Sequence, residues 1–361
     1  MCQAKENIVR RLFGINFLLP LILSGLIISP AAAQEPAASA LDIRLVADEA
    51  DAVMLILQRI KAGKPVAVAD WDRLFSTEGY VRLKKREQSL ERPFEDEDFR
   101  KFVLSTELAA RAESLAGTLE HWKRADLSAA AARALAYLPS GTHIRAKVYP
   151  VIKPKTNSFV FELEADPAIF LYLDPDMDSA QFENTVAHEL HHIGLAAACL
   201  PANETEEFKT KPAEARAVLE WAGAFGEGVA MLAAAGGPDV HPHSVSPAPD
   251  RERWDKDMAN FNEDLKKVEG FFLDVLDGRL KGEEAIREVA FSFFGIQGPW
   301  YTVGWKMAVL IEETFGRKKL IDCLCNPAAL LAAYNEASTK RSRQTGDVLA
   351  LWSPDLLKRL Y

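Results

Sequence analysis

The chain has 361 residues, 48% of them hydrophobic and 26% charged, with a formal net charge of −9 at pH 7. That apolar content is ample for a packed core, in one large domain or two smaller ones. The acidic balance argues against nucleic acid or anionic lipid as a partner.

Residues 1–33 read as an export signal. Lys5, Arg10 and Arg11 give a basic start, "LFGINFLLPLILSGLIIS" an apolar stretch, and Ala31 and Ala33 the small residues of a cleavage site before Gln34. Asn16, Pro20 and two glycines interrupt the apolar run, which is barely long enough to cross a bilayer core of about 30 Å. The expectation is therefore a cleaved signal, a periplasmic or extracellular location and no stable membrane insertion. Losing Lys5, Glu6, Arg10 and Arg11 removes a net +2 and leaves −11 on the remaining 328 residues. Cys199, Cys323 and Cys325 stay. An oxidising compartment allows one disulfide among them and one leftover thiol; three buried thiols are the alternative, and the pairing is open.

Residues 34–140 are expected to form a helical N-terminal portion. From Leu41 to about Leu138 the pattern is helical: "DAVMLILQRIKAG" and "STELAARAESLAGTLEHW" carry apolar residues at helical spacing. The charged and aromatic stretch between them, "WDRLFSTEGYVRLKKRE", is expected to be helical around a bend at Gly79.

The remainder, 141–361, is expected to be the catalytic portion and opens with strands; one continuous domain with the first portion stays open. "IRAKVYPVI" is strand-like, "SFVFELE" alternates as a half-buried and possible edge strand, and "AIFLYL" reads as a central one. A helix follows, with Asp178 as its N-cap and Gln181 placed to complete a capping box. A second helix is predicted from Ala213 to about Ala235. The Pro- and Gly-rich "GGPDVHPHSVSPAPD" should be a loop, and the rest is helical. The fold class predicted is α+β, mainly helical, with a small sheet ahead of the first of these two helices.

That helix carries the chemistry. His188-Glu189-Leu190-His191-His192 contains three of the seven histidines in the chain and satisfies H-E-x-x-H. Residues four apart project from the same side of a helix, so His188 and His192 can both bind one Zn²⁺. Glu189, one position round, can reach a water on the metal and act as general base. His191 is expected to pack or to donate a supporting hydrogen bond.

A catalytic zinc site needs a third protein ligand, and a carboxylate on a later helix is the expectation, from Glu214, Glu220 or Glu227. Glu227 is preferred. Gly226 and Gly228 flank it at a cost of about 1 kcal/mol each in helix propensity, which a close approach of two helices would explain. Glu220 stays open as a supporting partner or as the ligand itself.

With "AHELHH" at 187–192, "GEGVAM" at 226–231 and "GPWYTVGWKMAVLIEETFGR" at 298–317, the chain resembles the gluzincin zinc peptidases. More narrowly it is similar to a bacterial family of proposed zinc-dependent peptidases, and the resemblance extends upstream through "WDRLFSTEGYVRLKKRE" at 71–87. The separation of His192 and Glu227, 35 positions, is longer than in thermolysin-like enzymes.

The resemblance implies a zincin-like fold, with the sheet packed on the H-E-x-x-H helix between helical N- and C-terminal portions. It also suggests Tyr301 as the donor to the oxyanion of a tetrahedral intermediate, with His241 and His243 as competitors. The function expected is an exported peptidase with one zinc ion and a peptide or protein substrate. The alternative is a non-catalytic zincin-fold binding protein of the cell envelope. Substrate preference and oligomeric state are not legible.

Overall fold

The computed structural model describes residues 40–199, 205–346 and 348–361. The expected export segment lies outside the described residues. The chain enters as a strand, β1 (Leu41–Leu45), where the periodicity predicted helix. Five residues alternate too briefly to announce a strand, and the partner of β1 lies about a hundred positions away.

Six helices follow: α1 (Asp48–Lys61), α2 (Val68–Phe75), α3 (Glu78–Ser89), α4 (Asp96–Val103), α5 (Thr106–Trp122) and α6 (Leu127–Leu135). The break between α2 and α3 falls at Ser76 and Thr77, with the Thr77 hydroxyl capping α3, so Gly79 is no bend. Gly79 sits in the first turn of α3, where a Cβ would come within 3.0 Å of Asp48 Oδ1 and Glu49 Cβ. The residue is small because α1 passes close by, and Asp48 accepts the Glu78 and Gly79 amides at 2.6 and 3.2 Å.

Three further strands, β2 (Ile144–Val151), β3 (Phe159–Phe161) and β4 (Ala168–Tyr172), complete a sheet of order β1-β2-β4-β3. β1, β2 and β4 run parallel, and β3 pairs antiparallel with β4 at the edge. β4 is buried throughout, as its continuous apolar run predicts. β3 departs from the expected alternation. Phe159 and Val160 are both buried, and the strand ends where Glu162 takes a left-handed φ of 55°. Phe159 and Val160 belong to the same buried core.

One face carries a ladder of rings: Tyr149 stacks on Phe170 at 4.7 Å and Phe159 on Phe170 at 4.9 Å. α3 lies over it, with the Arg82 guanidinium 5.4 Å from the Tyr149 ring and that of Arg86 4.0 Å from Phe159. The opposite face meets α7 (Ser179–Ala198), where a Cβ on Gly194 would stand 3.2 Å from Ile144. The predicted capping box is present: Asp178 accepts the Gln181 amide at 2.8 Å, and Gln181 accepts that of Asp178 at 2.9 Å.

Then come α8 (Glu206–Thr210), α9 (Ala213–Ala222) and α10 (Gly226–Ala235). The single helix expected over 213–235 is divided by a 3₁₀ turn at Gly223–Phe225. The chain continues through α11 (Ala248–Ala259), α12 (Phe261–Leu276), α13 (Glu283–Ser292), α14 (Pro299–Phe315), α15 (Arg317–Cys323), α16 (Pro327–Thr345) and α17 (Pro354–Leu360). These helices enclose a second core rich in aromatic residues, with Phe225 against Trp300 and Trp352. The first core joins the sheet, α1 to α7 and Ala234 of α10. α7 and α10 therefore meet where the two cores join. A disulfide between Cys199 and Cys325 ties the end of α7 to the turn before α16, leaving Cys323 as a buried thiol.

Candidate metal centre

α7 and α10 bring three side chains to one point. His188 Nε2 and His192 Nε2 are 3.1 Å apart, and Glu227 Oε2 lies 3.2 Å from the first and 3.4 Å from the second. All three side chains are largely buried. A tetrahedral ion with bonds of about 2.0–2.2 Å holds its ligand atoms about 3.3–3.6 Å apart, and the triangle's sides of 3.1, 3.2 and 3.4 Å lie at or just below that range. Two imidazoles and a carboxylate are also the donor types zinc takes. Among the described residues, His188, His192 and Glu227 form a group that could hold a metal ion.

The electrostatics follow from the packing. Burial works against ionising Glu227, but the two imidazoles overcome it and hold the carboxyl well below the usual carboxylate range. His192 is moved the other way: burial favours the neutral ring, and Glu227 carries its pKa upward nonetheless. Glu189 shares the helix but not the triangle. Burial raises its carboxyl, the imidazoles of His188 and His192 oppose that, and its Oε2 is a buried atom with no hydrogen bond.

Glu227 reaches the imidazoles through an unusual helix crossing. A Cβ on Gly228 would lie 2.0 Å from Trp305 N and 2.6 Å from Tyr301 O, and one on Gly304 would lie 2.5 Å from Phe225 O. The backbones of α10 and α14 are in contact there. The glycine beside Glu227 thus serves the approach to α14 and not to α7, since a Cβ on Gly226 would find only Leu195 at 3.9 Å.

The same crossing places Tyr301, buried, with its ring 6.4 Å from that of His188 and nearly parallel to it. His241 and His243 have partners outside the triangle. His241 pairs with Asp255 at 3.0 Å, and His243 with Ser246 and Gln297 at 2.9 and 2.8 Å. Glu214 is exposed, and Glu220 faces Arg216 and Glu283. His191 is fully buried, with Nε2 placed to donate to Tyr137 O at 3.3 Å. Burial pushes its imidazole down to about 3, so it stays neutral. Tyr137 is a contact that sequence reasoning misses: a backbone carbonyl 54 positions away leaves no signature.

A mainly helical chain with a small mixed sheet and a buried His, His, Glu cluster suits a metal-dependent hydrolase. Residues 71–343 match the model of the family described as "Putative zinc dependent peptidase (DUF5700)", and the chain belongs to that family. The matched span includes the two histidines, Glu227 and Tyr301. No curated protein and no solved structure matches the chain.

Proposed function

We propose that this chain is an exported zinc peptidase of zincin-like fold, in which His188, His192 and Glu227 hold one zinc ion. The observation that carries the reading is the triangle of three buried donor atoms at 3.1, 3.2 and 3.4 Å. When bound there, zinc would supply a Lewis acid for the scissile carbonyl and lower the pKa of the attacking water. Glu189, with an unbonded carboxylate oxygen, takes the proton of that water and passes it to the leaving amine. Tyr301 donates to the carbonyl oxygen as it gains negative charge. β3, last in the strand order, offers an edge along which an extended peptide can pair. The Cys199–Cys325 disulfide supports export, because such bonds persist in oxidising compartments.

A mixed peptide pool incubated with the zinc-loaded protein tests this reading. New peptide termini should form, and a chelator should stop their formation. A loaded protein that cleaves no more than the chelated one is a binding protein.

A further inference from the structure

The three metal-binding side chains come from two different cores. Val186, Ala187, Leu190 and Ile193, the neighbours of His188 and His192 on α7, belong to the core on the sheet. Val229 and Leu232, which follow Glu227 on α10, belong to the aromatic core. The triangle therefore keeps its dimensions only if the two cores keep their places relative to one another.

Tyr137 crosses between them. Ala134 of α6 and Leu138 lie in the first core, but Tyr137, fully buried, belongs to the second. The Arg317 guanidinium lies 4.1 Å from the centre of its ring, and Arg317 Nε bonds Glu312 Oε1 of α14 at 2.8 Å. A planar cation stacked on a ring and held by a carboxylate fixes that ring in orientation as well as in depth. The carbonyl of the same tyrosine stands 3.3 Å from His191 Nε2, placed to accept a hydrogen bond from it. His191 precedes His192, and their rings are 6.3 Å apart. Contacts thus run without a gap from Glu312 through Arg317 and Tyr137 to His191, beside a metal ligand.

We infer that Tyr137, clamped by Arg317 and Glu312, is a positioning residue: through His191 it holds the two imidazoles of α7 in register with Glu227. A hydrogen-bond partner beside a metal ligand sets how well that ligand is aimed, and here the partner is anchored in the core that carries the third ligand. The inference rests on the zinc-binding part of the reading above and not on peptide hydrolysis, so zinc affinity tests it.

Zinc affinity, by competition with a fluorescent chelator, and unfolding temperature in EDTA are measured on each variant. His191→Phe keeps a buried ring and removes the donor, and should weaken zinc binding about tenfold or more. His191→Gln can place an amide N–H where Nε2 stands and should recover most of that affinity. Arg317→Gln alters a partly exposed side chain, so the fold should survive, and zinc binding should weaken about threefold or more. Added to His191→Phe it should weaken binding little further, because the chain of contacts is already cut. A purely structural role would lower the unfolding temperature in EDTA and leave zinc affinity unchanged. Wild-type affinity in Arg317→Gln overturns the inference, and so does an Arg317→Gln effect of equal size with and without His191→Phe. Should His191→Phe not fold, the affinity of Arg317→Gln decides alone. A wild-type protein that binds no zinc overturns the metal site itself, which separates that failure from this one.

Discussion

Gly228 and Trp305 approach so closely that a Cβ on the glycine would lie 2.0 Å from the tryptophan's backbone nitrogen. Backbone atoms of two packed helices cannot step aside as a side-chain tip can. Gly228→Ala should therefore cost about 3 kcal/mol or more, the upper end of what overpacking does. Because Glu227 is the preceding residue, zinc affinity should fall as well. Gly226→Ala is the control: its Cβ has room and gains helix propensity, so stability should hold or rise slightly. Urea unfolding of the two variants checks the contrast.

Zinc should stabilise the folded protein through its three donors. At a free concentration of a hundred times Kd the gain is about 2.7 kcal/mol. Glu227→Ala should erase that gain and Glu220→Ala should leave it, since Glu220 faces Arg216 and Glu283 instead. Thermal unfolding of each variant with zinc and with chelator reads this directly.

Glu220 predicts a pH dependence. Burial raises its carboxyl to about 7, against the pull of Arg216 and with the help of Glu283. A carboxyl that holds its proton more tightly folded than unfolded contributes stability below about 4.5 and loses it as pH rises through about 7. Glu220→Gln keeps the neutral shape at every pH. The variant should match wild type at pH 5 and exceed it in unfolding temperature at pH 8.

The disulfide closes a loop of 126 positions, which corresponds to about 5 kcal/mol of chain entropy in the unfolded state. A Cys199→Ser, Cys325→Ser double variant should be less stable by an amount of that order. Cys323 is buried, so a thiol reagent should find it only after unfolding.

The part of the site that lies on one helix was legible in the sequence. His188 and His192 are four apart, and helix geometry alone makes them neighbours. The Asp178 and Gln181 cap was legible for the same reason, since every partner lies within one turn. Glu227 was reached on a partly mistaken argument. The glycine beside it does mark close backbone approach, but to α14, because composition reveals a small surface without naming what covers it. β1 went unseen because a five-residue strand depends on a distant partner. The pairing of Cys199 with Cys325 was likewise invisible: it depends on distances that only the fold creates.

Glu189 is the residue proposed to make the candidate metal site a catalyst, and Glu189→Gln tests that role. Its Oε2 carries no hydrogen bond, so the amide should fit without disturbing the His188, His192 and Glu227 triangle. The measurement is zinc content together with peptide cleavage rate on the same preparation. Full zinc occupancy with cleavage reduced by about 10²-fold or more is the predicted result. Full occupancy with cleavage at the wild-type rate would leave Glu189 without a catalytic role.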